Sequence, residues 1–148
     1  MTQAKLDYGN KHLPMTYNQM FGYIFGIVYL AVGFAGYEST HGINLTASVG
    51  GRELQLFSVN PLHSDVHLAV GALLMISAFV GPALSRTVNA IVGFVYLLLA
   101  IAGPLITQAP SINILGLNFA DDVLHALTAV TALTVVFVFG RIDQLQNA

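Results

Sequence analysis

Two helically spaced pairs of ionisable side chains hold most of the chemistry this chain could perform. His63 and His67 stand four residues apart, and Asp121 and His125 repeat that spacing further along. Residues i and i+4 lie on one face of a helix, so each pair forms a two-donor clamp. Brought together, the four would make a nitrogen and oxygen donor set suited to zinc, copper or iron. With His67 and His125 as axial ligands, the same residues would hold a b-type haem. A transition metal or haem b is therefore the cofactor class the pattern implies if the donors converge. His67 or His125 could also act as general base in an enzyme of the lipid phase, but no nucleophile constellation accompanies them and no residue is assigned a catalytic role. An ion or proton path would use His67, His125, Asp65, Asp121 and Asp122 as a vestibule, yet no acid or base continues it through the apolar stretches that follow. The plainest use is structural: a histidine in each pair hydrogen-bonds across to a facing helix, for about 1 kcal/mol per bond in a bilayer.

Asparagine precedes each pair. Asn60 stands three residues before His63 and Asn118 three before Asp121. Asparagine is a leading N-cap residue, and Pro61 occupies the first helical position, where proline is best tolerated. Asp121 and Asp122 then fall in a first turn, where the helix dipole favours negative charge. The predicted polar cluster comprises Asn60, His63, Asp65, His67, Asn118, Asp121, Asp122 and His125. At 1.5 Å per residue, His67 and His125 lie ~10 Å below their caps, at the edge of a hydrocarbon core.

The elements that must position these groups are membrane spans. Of the 148 residues 55% are hydrophobic and 8% charged, with a mean hydropathy of +0.72. A soluble domain carries about 25% charged residues. Four apolar stretches, residues 17–37, 61–84, 87–106 and 119–139, are each long enough to cross a core of ~30 Å. The first lacks a good cleavage site and is expected to be retained. Short connections favour an all-α, up-down-up-down four-helix bundle, with a tight reversal over Gly81-Pro82-Ala83-Leu84-Ser85-Arg86. Residues 42–59 predict a β-hairpin turning at Gly50-Gly51, and residues 107–117 could add another short strand.

The halves echo each other. Gly26-Ile27-Val28-Tyr29-Leu30, with Ala35-Gly36 after it, returns 67 residues later as Gly93-Phe94-Val95-Tyr96-Leu97 with Ala102-Gly103. The stretch from Asn60 to His67 returns at an offset of 58 as Asn118 to His125. The reading is one transmembrane domain over residues 1–148, built from a duplicated helical hairpin with repeats at about 18–84 and 86–140. The spacing Gly22-x-x-x-Gly26 suits close helix packing within the bundle.

Lys5, Lys11, Arg86 and Arg141 fall on one side of these spans and Arg52 alone on the other. The excess of cations predicts that both termini are cytoplasmic and that the His, Asp and Asn cluster lies at the outer face. With five Lys and Arg, seven Asp and Glu and a net charge of −2, the chain lacks the basic surface nucleic-acid binding needs. The absence of cysteine excludes disulfides, thiolate metal sites and cysteine nucleophiles.

The pairing of Asn60-Pro61-Leu62-His63-x-x-x-His67-Leu68 with Asn118-x-x-Asp121-x-x-Leu124-His125, each after a Gly-x-Val-Tyr-Leu span, resembles a bacterial family of small four-helix membrane proteins known only as a domain of unknown function. The resemblance covers about residues 18–140. Members look like His-Asn where this chain has His63-Ser64, and Asp-Asn where it has Asp121-Asp122. It implies a multi-pass protein of the bacterial inner membrane and supplies no activity, cofactor or partner. The function expected is a non-enzymatic accessory or scaffold component, contacting the lipid bilayer and a larger membrane complex or a second copy. The alternative is a metal- or b-haem-binding protein using His63, His67, Asp121 and His125.

Overall fold

The computed structural model describes residues 15–48, 52–54 and 57–142. Four long helices dominate: α1 (Tyr17–Ser39), α2 (Pro61–Val80), α3 (Pro82–Ile106) and α4 (Phe119–Thr134), the last running into a π-helical turn over Val135–Phe139. Between α1 and α2 lies an antiparallel ribbon of β1 (Arg52–Leu54) and β2 (Phe57–Val59). All four helices are long and apolar enough to cross a membrane, the fourth counted through Ile142. The fold is an all-α four-helix bundle.

Glycine decides how the helices meet. On α1, Gly22, Gly26, Gly33 and Gly36 form one buried stripe. A Cβ on Gly26 would stand 3.1 Å from the carbonyl oxygen of Gly71, and a Cβ on Gly71 would stand 2.8 Å from the backbone nitrogen of Leu30. The two backbones therefore touch, which only small residues permit. Gly22 faces Ala78 and Gly36 faces Ser64, so α1 and α2 are antiparallel; Gly93 faces Ala132 and Gly103 faces Asp122, so α3 and α4 are too. These two hairpins are the most extensive pairings. Between them sits a core of Phe21, Tyr29, Leu74, Val88, Val92, Tyr96, Ala129 and Ala132. Phe79, Leu98, Leu105 and Leu127 point outward, each more than half exposed, as lipid-facing positions require.

Three connections differ from the sequence expectation. The reversal spread over residues 81–86 is confined to Gly81, which ends α2 and precedes α3 with φ +150°. Pro82 then sits at the first turn of α3, where its missing N–H costs nothing, so α3 starts five residues early. The hairpin pairs Arg52 with Val59 and Leu54 with Phe57, a shorter ribbon than the one expected over residues 42–59; Gly50-Gly51, expected at its turn, lie outside the described residues. Residues 44–47 form turns bound to the start of α2: Leu62 N donates to Leu45 O at 3.1 Å. Finally, residues 107–117 form no strand. The Asn113 amide bonds both the N–H and the carbonyl of Leu117 at 2.8 and 2.9 Å, and Gly116 at φ +64° closes the loop on itself.

Candidate functional site

Caps fix the site. Asn60 is fully buried and its side-chain oxygen accepts from His63 N at 2.8 Å, starting α2. Its amide nitrogen donates to Ala47 O at 3.0 Å and Ile114 O at 2.8 Å, so one side chain joins the helix start to both loops at this end of the bundle. Asn118 starts α4 through a reciprocal capping box: its side chain accepts from Asp121 N at 3.1 Å, and its own N–H donates to the Asp121 carboxylate at 2.8 Å.

One turn deeper the imidazoles gather. His63, His67 and His125 are 2%, 5% and 3% exposed, too little for any ring to point outward. The His63 and His67 rings lie 4.5 Å apart, and His63 and His125 meet across the hairpins at 6.4 Å. His63 also faces the backbone carbonyls of Ser58 and Leu115. Each deeper histidine rests on a tyrosine: Tyr29 on His67 at 5.2 Å and Tyr96 on His125 at 5.1 Å. The two tyrosines meet edge to face at 5.6 Å, and the Tyr29 hydroxyl shares a 3.2 Å bond with Thr128 Oγ1 on α4. A line of aromatic rings thus crosses the interface between the hairpins. Beside it, a cavity of about 60 Å³ is lined by His67, Tyr29, Thr128, Leu124 and Phe25.

Equivalent contacts recur in both halves. Asn60 caps His63 N as Asn118 caps Asp121 N. Gly36 leaves room for Ser64 as Gly103 does for Asp122. They part at one place. Ser64 donates its hydroxyl to Asn60 O at 3.2 Å, whereas both carboxylate oxygens of Asp122 are buried with no partner among the described residues. The Nδ1 atoms of His63 and His125 are likewise buried and unpartnered.

Of the sequence-predicted residues, Asn60, His63, His67, Asn118, Asp121, Asp122 and His125 come to the same end of the bundle. Asp65 does not join them; it points outward from α2. Asp121 turns its carboxylate back to the α4 cap and away from the imidazoles. Among the described residues no three His, Asp or Glu side chains stand as a metal-holding group.

Sequence reasoning missed a second polar lock at the opposite end. Ser85 Oγ and Asn89 Nδ2 on α3 donate to Asn18 O on α1 at 2.8 and 2.9 Å, and all three residues are buried. Its signal was an amide in each of two otherwise apolar spans, at Asn18 and Asn89.

Residues 19–138 match the family described as a domain of unknown function, DUF4383. No curated protein and no solved structure matches the chain.

Proposed function

We propose that this chain, which belongs to the DUF4383 family, is a non-enzymatic accessory or scaffold component of a membrane. Its buried His, Tyr and Asn side chains lock two duplicated hairpins into one rigid bundle. The observation that carries this reading is where the polar side chains go. Tyr29 with Thr128, Asn60 with Ile114, and Asn89 with Asn18 each bridge from one hairpin to the other. The imidazoles are closed off from solvent, and the cavity beside His67 is about 60 Å³, far below the ~300–1,000 Å³ of small-molecule sites. The recurring caps and glycine contacts support the duplication. The distribution of Lys and Arg supports a cytoplasmic location for both termini, with the histidines at the outer face.

The test is elemental analysis with an absorption spectrum on protein purified in mild detergent, alongside its assembly state in native lipid. A colourless, metal-free sample that co-purifies as a complex or oligomer is expected. A stoichiometric transition metal, or the absorption band of haem b, would overturn the scaffold reading for the metal- or haem-binding alternative. Isolated monomers in native lipid would refute the scaffold role.

A further inference from the structure

One groove on the outside of the bundle takes no part in the polar locks. It runs along α3 and the end of α4, has a volume of about 660 Å³, and is walled by Ile91, Phe94, Leu98 and Phe137, with Ala90 between them and Arg86 at one end. From Arg86 to Leu98 the helix rises ~18 Å at 1.5 Å per residue. Half of a ~30 Å hydrocarbon core is about 15 Å, so the groove extends from one interface to the middle of a bilayer. Its far wall comes from the π-helical turn, a wider turn that shifts the side chains following it relative to an α-helix. There Phe137 meets Phe94 edge to face at 6.2 Å.

Charge is divided between the ends of the bundle. Arg86 and Arg141 stand at the Gly81 end, while the acids Glu38, Asp65, Asp121 and Asp122 stand at the other, where Arg52 and Glu53 of β1 offset each other. Among the described residues Arg86 makes no ion pair. The first turn of α3 lies beside it without a side-chain cap, so the helix dipole adds positive potential in the same place. A ligand apolar along its length and anionic at one end suits both features. A spanning helix of a second copy inserted the same way round would cover the apolar walls but bring Arg86 none of the acids of α1, α2 and α4, which stand at the other end of the bundle. We infer that this groove seats one acyl chain of an anionic phospholipid whose headgroup phosphate rests on Arg86.

The test uses the full chain in nanodiscs of equal phosphatidylglycerol and phosphatidylcholine, with retained lipid counted by native mass spectrometry. One cation near a membrane surface shifts the binding of an anionic lipid by about fivefold. Wild-type protein is expected to retain one phosphatidylglycerol, enriched about fivefold over phosphatidylcholine. Arg86→Gln should abolish the enrichment and Arg86→Lys should keep it. Ala90→Phe, which fills the groove and leaves the charge, should lose both lipids while keeping wild-type helicity and dispersity. Equal retention of the two lipids by wild type, or undiminished enrichment in Arg86→Gln, would overturn the assignment. So would disulfide cross-linking of Phe94→Cys copies in the membrane, which would give the groove to a second copy of the chain.

Discussion

Replacing Asn60 separates a helix cap from a clamp. If the side chain only capped α2, Asp would serve almost as well as Asn, and Ala would cost about 1 kcal/mol. The structure gives it two further bonds, through Nδ2 to Ala47 O and Ile114 O, at a fully buried position. Asn60→Ala therefore loses the cap and leaves two carbonyls without their donor, for about 3 kcal/mol in all at ~1 kcal/mol for each loss. Asn60→Asp keeps the acceptor for His63 N but sets oxygen against oxygen where 3.0 and 2.8 Å bonds stood. A protonated acid would serve only one of the two carbonyls. The aspartate should therefore be the worse variant, by at least ~1 kcal/mol beyond alanine. Reversible unfolding in mixed micelles, followed by far-ultraviolet circular dichroism as the fraction of dodecyl sulfate rises, measures both. Finding Asn60→Asp within about 0.5 kcal/mol of wild type would show that the clamp does not exist.

Gly71→Ala drives a methyl into the backbone of α1 on two sides, 2.8 Å from Leu30 N and 2.9 Å from Gly26 O, and should cost about 3 kcal/mol in the same assay. Gly93→Ala meets the flexible Leu133 side chain first and should cost about 1 kcal/mol. Asp122→Ser gives the second half the residue the first half has at Ser64, whose hydroxyl bonds the cap carbonyl, and removes two unpartnered oxygens; a gain of about 1–3 kcal/mol is expected. Tyr29→Phe and Thr128→Val, singly and together, should show a coupling of about 0.6 kcal/mol in a double-mutant cycle, the usual worth of a hydrogen bond between membrane helices.

The parts of this molecule legible in its sequence are those set by local period. Apolar runs of sufficient length announced four helices, and the asparagine caps with histidines seven residues on announced which side chains would be buried at one end. The echo between the halves predicts that the two polar clusters meet, with His67 facing His125; the imidazole that approaches His125 across the hairpins is His63. What stayed hidden depends on partners distant in sequence. Residues 44–47 look like a hairpin strand, but they form turns bound to the start of α2, and the ribbon pairs residues 52–54 with 57–59. Pro82 and Ser85 look like loop residues, but proline suits a first helical turn and Ser85 finds Asn18 O across 67 positions. Asp65 shares its neighbourhood in sequence with the histidines, yet its place on the helical wheel turns it outward. The π-helical turn at Val135–Phe139 carries no marker in a run of valine and phenylalanine.

Gly81 is the whole covalent link between two hairpins that otherwise hold each other through buried amides, hydroxyls and rings. The junction is thus a matter of delivery and not of cohesion. Two separate messages, one ending at this glycine and one beginning after it, would place both products in the same bilayer, where they would assemble into the unbroken arrangement.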